Sequence, residues 1–168
     1  MASELKNLSE YTETGIAKNT PAKQYKIGIA VSEWNKEVTF NMAEGAIDTL
    51  KKYGYTADDI ILKYVPGSFE LPLAAKYLIE IAKADAVICL GCVIQGDTKH
   101  FDFVCSGVTQ GIMDINIQTG IPVAFGVLTT NNQQQALDRS GGKLGNKGDE
   151  AAIAVLKMLF LKDELKNK

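Results

Sequence analysis

Residues 85–94 read DAVICLGCVI, an aspartate followed by nine residues that are apolar or glycine. A strand with one wet face alternates apolar with polar side chains, whereas a strand buried on both faces is apolar throughout. This run therefore predicts an inner strand of a parallel sheet with helices on both sides. It is too short for a membrane-spanning helix, which takes about 20 residues. Cys89 and Cys92 have the CxxC spacing of many metal and redox sites. On a strand, residues i and i+3 point to opposite faces, so the pair shares neither a zinc ion nor a short disulfide. No second CxxC and no further histidine completes a cluster, and no metal is expected.

Two more runs read in the same way, YKIGIAVS at 25–32 and IPVAFGVLT at 121–129, and segments of helical period separate the β-rich ones. The pattern predicts strands at 25–31, 59–65, 85–94 and 122–129, with helices at 36–53, 69–83, 99–118, 132–139 and 149–163. The breaks KYGYTADD, VPGS, IQGD, TGIP and RSGGKLGNKG supply turn residues between them. Such alternation gives an α/β, doubly wound parallel sheet.

With 46% hydrophobic and 23% charged residues, and 18 basic against 20 acidic side chains, the composition is that of a soluble globular protein of slight negative charge. Basic residues are dispersed and form no stripe interleaved with aromatics, which argues against nucleic acid as a partner. A chain of 168 residues suits one core, expected over 24–168. Residues 1–23 are polar and aperiodic, and are expected to form an N-terminal arm. The opening MASELKNLSEYTETG lacks the apolar centre of a signal peptide, and the cysteines suit a reducing compartment, so a cytoplasmic address is expected.

In open α/β sheets, ligands bind beyond the carboxyl ends of the strands. That rule selects SEWN (32–35), PGSFE (66–70), IQGDTKHF (94–101) and TTNN (129–132). Trp34 offers either a core aromatic or a flat platform for a planar heterocycle. Asn35 and Ser68 are expected to cap the helices that follow them. First-turn N–H groups and the Glu70 carboxylate could grip the donor and acceptor pattern of a pyrimidine. Gly96 permits a tight bend, and N–H groups around Asp97 and Thr98 suit an anion, most naturally a phosphate. His100, the one histidine of the chain, stands beside that cradle and can exchange protons near neutral pH. Arg139 and Lys147 lie in a glycine-rich corner whose glycines are read as helix termination. A guanidinium there suits bidentate phosphate binding.

VPGSFELP, GCVIQGDTKHFDFV, PVAFGVLT and DRSGGKLGNKGDEAA, in this order and at these intervals, strongly resemble the lumazine synthase family from about residue 25 to 160. The resemblance implies a flavodoxin-like sheet of four parallel strands in the order 2-1-3-4 with helices on both faces. It implies an enzyme of riboflavin biosynthesis that condenses 5-amino-6-(D-ribitylamino)uracil with 3,4-dihydroxy-2-butanone 4-phosphate and needs no cofactor. Carried over by position, Trp34 stacks on the pyrimidine, and Ser68, Phe69 and Glu70 hold the pyrimidine and ribityl group. The strand end at Cys92, Val93 and Ile94 contacts the same substrate. Asp97, Thr98 and Arg139 bind phosphate, and His100 donates the proton. Phe125, like Arg139, reaches the site from the adjacent subunit, and Lys147 sits where the family keeps a lysine near the site. The resemblance therefore implies a homo-oligomer, a pentamer or an icosahedral shell of pentamers, with riboflavin synthase as a further partner. The corner GGKLGNKG matches the short form of shell-forming members. Glu33 and Gln95 stand where arginine is frequent, which removes positive charge at the cleft mouth.

A reading from another class is a non-catalytic flavin- or lumazine-binding shell protein of the same fold, motivated by Glu33 and Gln95. A phosphoacceptor receiver would need paired acidic residues after the first strand and an aspartate ending the third. SEWN and IQGD do not supply them.

Overall fold

The computed structural model describes residues 25–166, so the arm expected over 1–23 lies outside the described residues. Four parallel strands, β1 (Ile27–Ser32), β2 (Ile60–Val65), β3 (Ala86–Ile94) and β4 (Val123–Thr130), form one sheet in the order β2-β1-β3-β4. The order 2-1-3-4 is the one the resemblance implied. β1 pairs with β2 from Ile27 opposite Ile60 to Ser32 opposite Val65, and β3 pairs with β4 from Val87 opposite Val123 to Ile94 opposite Thr130.

Side chains alternate across the central strands and build two cores. Ile27, Ile29, Val31, Ile88, Leu90 and Cys92 face α1 (Lys36–Lys52) and α5 (Lys147–Lys166). Ala30, Val87 and Cys89 face α2 (Leu71–Glu80) and α3 (His100–Thr119). Cys89 and Cys92 thus lie in opposite cores, both as free thiols. α1 buries Val38, Thr39, Met42, Ala43, Ala46, Thr49 and Leu50, the spacing of one helical face. Gly28 brings α2 close, since a Cβ there would stand 3.0 Å from Leu78 Cδ1.

Strand boundaries fall within two residues of the expected ones and helix boundaries within three; the helix expected at 69–83 is shorter, Leu71–Glu80, and the one expected at 149–163 longer, Lys147–Lys166. A 3-10 turn, Ser68–Glu70, precedes α2, whose first turn contains Pro72. α5 begins earlier than expected, at Lys147, with Asn146 Oδ1 accepting the Gly148 N–H at 2.8 Å. The corner after α4 (Gln133–Asp138) is an antiparallel hairpin of β5 (Ser140–Gly142) and β6 (Gly145–Asn146). Its Gly141 and Gly145 have φ of 111° and 87°, so these glycines serve the hairpin rather than ending a helix as expected. Among the described residues, no helix is long and apolar enough to cross a membrane.

Candidate active site

A cleft of about 730 Å³ opens where β1, β2 and β3 end. Three chain segments reach it: Trp34 and Asn35 after β1, Gly67–Glu70 after β2, and Cys92–Ile94 with Gly96, Thr98 and His100 from β3 into α3. Phe101, Phe103 and Val104, on the first turns of α3, complete its wall. Phe101 closes the selected run IQGDTKHF, whereas Phe103 and Val104 lie beyond it in α3 and were not among the expected site residues.

The loop after β1 is tied down by main-chain and hydroxyl bonds. Glu33 N donates to Val65 O at 2.8 Å and Trp34 N to Pro66 O at 3.1 Å, so the sheet ladder continues into the loops. Ser32 Oγ donates to Trp34 O at 3.3 Å, and Thr39 Oγ1 to Ser32 O at 2.7 Å. Trp34 is nevertheless 74% exposed. It is not a core aromatic, and its face is open to a ligand.

Two capping expectations are corrected. Asn35 sits at the N-cap position of α1, but its side chain makes no cap bond. Its backbone lies in the left-handed region, φ 60° and ψ 42°, and its Nδ2 donates to Cys92 O across the cleft floor at 3.0 Å. Ser68 caps nothing either: Gly67 precedes the 3-10 turn, and Ser68 Oγ is buried with no hydrogen-bond partner among the described residues. A buried hydroxyl without a partner costs about 1–3 kcal/mol of desolvation, which a ligand atom can offset. Gly91 makes room for it, since a Cβ at Gly91 would stand 2.5 Å from Ser68 Oγ.

Phe69 lies against α3, with its ring 2.7 Å from where a Gly107 Cβ would be, and still exposes 59% of its surface. Glu70 Oε2 is 3.2 Å from where a Gly67 Cβ would be, which sets the carboxylate over the extended Gly67 backbone. Gly96 has no positive φ and open space at its Cβ position, so the bend there needs no glycine, contrary to expectation. α3 starts at His100 with Lys99 at its N-cap, and the His100 N–H meets Thr98 Oγ1 at 3.4 Å. Asp97 and Thr98 are exposed in the bend before it, as is His100.

Four expected site residues do not line this cleft: Asp97, Phe125, Arg139 and Lys147. Phe125 is exposed in the middle of β4, opposite Cys89. Arg139 Nη2 pairs with Glu150 Oε1 at 2.8 Å and Lys147 Nζ with Glu150 Oε2 at 3.0 Å. Burial pushes the Cys89 thiol up to about 12 and the Cys92 thiol up to about 11, so both are inert near neutral pH.

The family model for 6,7-dimethyl-8-ribityllumazine synthase matches residues 24–163. A protein of that name from Parabacteroides distasonis is 53% identical over 159 residues, spanning 95% of this chain and 98% of that one. Another, from Flavobacterium johnsoniae, is 55% identical over 164 residues, spanning 98% and 85%. A third, from Christiangramia forsetii, is 51% identical over 167 residues, spanning 99% and 98%.

Proposed function

Because the chain belongs to the 6,7-dimethyl-8-ribityllumazine synthase family, we propose that it condenses 5-amino-6-(D-ribitylamino)uracil with 3,4-dihydroxy-2-butanone 4-phosphate. The products are 6,7-dimethyl-8-ribityllumazine and inorganic phosphate, at the penultimate step of riboflavin biosynthesis. The observation that carries this reading is the meeting of an exposed indole, an unpartnered buried hydroxyl, a carboxylate and the histidine around one cleft.

The pyrimidine stacks on Trp34, with Phe69 along the opposite wall. Ser68 Oγ and the strand-end peptides of Cys92, Val93 and Ile94 read the donors and acceptors of the heterocycle, and Glu70 takes ribityl hydroxyls. The phosphate lies at the bend of Asp97 and Thr98. The amino group of the uracil attacks the ketone and loses water to give an imine. Loss of the C3 proton then expels phosphate from C4 to leave an enol. The enol tautomerises to a C3 ketone carrying the new methyl group, and the ribityl-bearing nitrogen closes the ring on that ketone with loss of a second water. His100 relays the protons these steps exchange. Much of the rate gain comes from holding two substrates in one place, which replaces a bimolecular encounter. The residues use no cofactor in this scheme.

Arg139, Phe125 and Lys147 act on the cleft of a neighbouring copy, so the working form is a homo-oligomer. Exposed apolar side chains on α3, Phe103, Met113 and Ile117, support burial of that face against another chain. A pentamer, assembled further into an icosahedral shell, fits the short hairpin corner, and riboflavin synthase is its proposed partner. The proposed compartment is the cytoplasm, consistent with three free cysteines.

The test is direct. Purified full-length protein given both substrates should generate the lumazine chromophore with release of phosphate. No chromophore at saturating substrate, together with quenching of Trp34 by lumazine or riboflavin, would favour the non-catalytic binding protein instead.

A further inference from the structure

β1 ends its pairing with β3 at Val31 opposite Leu90, two residues short of Cys92. In a parallel ladder, the peptide groups of successive residues turn to alternate neighbours. In β3 the odd-numbered residues turn to β4, as the bonds from Val87 N to Pro122 O and from Gln95 N to Thr130 O mark. Even-numbered residues therefore turn towards β1. Leu90 meets it, whereas Cys92 and Ile94 run past its end.

Cys92 is 2% exposed, so its carbonyl would be an orphan without a donor from the β1 side. The Asn35 amide supplies that donor at 3.0 Å, from a residue 57 positions away in the chain. Its left-handed backbone turns the side chain back across the end of β1, a conformation asparagine adopts more readily than most residues. Ile94, the next residue on the same side, lines the cleft. Trp34, bonded through its N–H to Pro66 O, immediately precedes Asn35.

We propose that Asn35 is a positioning residue for the heterocyclic substrate. By closing the β1 side of β3 at Cys92, it leaves the Ile94 peptide as the first free edge and fixes the Trp34 platform at a set distance from it. A planar ring is then read by its face and its edge together. The inference rests on the lumazine synthase reading of the cleft, and it concerns the uracil substrate rather than the phosphate-bearing one.

The test uses the full-length protein and two variants. Asn35→Gly keeps the left-handed backbone without strain and removes the amide, whereas Asn35→Asp keeps the size and sets a carboxylate oxygen against the Cys92 carbonyl. Both should raise KM for the aminouracil about tenfold, the scale of one lost hydrogen bond in a binding site, with aspartate the worse. KM for the butanone phosphate should stay unchanged. Fluorescence anisotropy of Trp34 in the ligand-free protein should fall in both variants. Equal shifts in the two KM values, unchanged anisotropy, or failure of Asn35→Gly to fold would overturn the positioning role. If the wild-type chain makes no lumazine, the enzymatic reading fails instead. The dissociation constant of the lumazine, read by Trp34 quenching in the same three proteins, then decides the role of Asn35 on its own.

Discussion

Arg139 and Glu150 close on each other beneath the β5–β6 hairpin, Nη2 to Oε1 2.8 Å, with 14% and 10% of their side chains exposed. Lys147 takes the other carboxylate oxygen at 3.0 Å, so one carboxylate serves two cations. Arg139 Nε is buried there without a partner among the described residues. A guanidinium that is oriented but not fully satisfied can take a phosphate oxygen.

Glu150→Gln should therefore destabilise the fold, because two cations would face a neutral amide. Removing one partner of a buried pair costs about 3 kcal/mol, and the partly wetted Lys147 holds the value near that lower figure. Urea denaturation of both proteins measures it. A change below about 0.5 kcal/mol, the range of ordinary surface substitutions, would mean that the pairing carries no weight.

His100→Ala should lower kcat with little change in melting temperature, since the side chain is exposed at the start of α3. Loss of a positioned proton carrier costs about a hundredfold, the low end of the usual range, because holding the substrates together survives the change. A steady-state assay following lumazine absorbance reads it, and an unaltered kcat would remove His100 from the chemistry.

The inner strands β1 and β3 were legible because a parallel sheet buries both of their faces, which leaves DAVICLGCVI apolar throughout. The positions of Trp34, Ser68 and His100 followed from the rule that ligands sit beyond strand ends. Asn35 and Ser68 were misread as caps for a physical reason. A short polar side chain at a strand-to-helix junction usually bonds locally, whereas Asn35 bonds a carbonyl that no local window contains. The β5–β6 hairpin escaped because strands of three and two residues, rich in glycine, carry no alternating pattern. The Glu150 clamp on Arg139 was invisible for a similar reason, since an acidic residue in the first turn of a helix reads as a dipole partner.

Gly91→Ala should disturb the cleft from beneath. The new methyl would stand 2.5 Å from Ser68 Oγ and 2.9 Å from Leu71 Cδ1, so the 68–70 turn must shift. Overpacking of this kind costs about 1–3 kcal/mol. Thermal unfolding should show that loss, and KM for the aminouracil should rise. A wild-type KM would show that the turn can yield without moving the groups that bind.

Alkali should weaken the protein through groups that burial keeps neutral. Burial raises Cys89 from 9.0 to about 12 and Tyr55 from 10.0 to about 12. A folded pKa above the unfolded value means that the stabilisation is complete below the unfolded pKa and is lost as pH rises towards the folded one. Urea midpoints should therefore fall from about pH 9 upward, and a midpoint that holds to pH 11 would contradict the assignment. At pH 8, iodoacetamide should label the native chain at Cys105 alone, and slowly, since burial and the nearby Asp102 charge raise that thiol too.

Trp34 separates stability from binding most cleanly. The residue is 74% exposed, so truncation to alanine removes little packing and should change stability by less than about 0.5 kcal/mol. A stacked aromatic pair contributes about 0.5–1.5 kcal/mol beyond area burial, and the indole area covered by the ligand adds to that. Trp34→Ala should accordingly raise KM for the aminouracil tenfold or more, whereas Trp34→Phe, which keeps a smaller π face, should raise it about threefold. KM for the butanone phosphate should not move in either variant, because the proposed phosphate bend lies beyond β3 while Trp34 follows β1. If Trp34→Phe and Trp34→Ala lose the same affinity, stacking is not what the ring contributes. Its role would then be limited to covering the cleft from water.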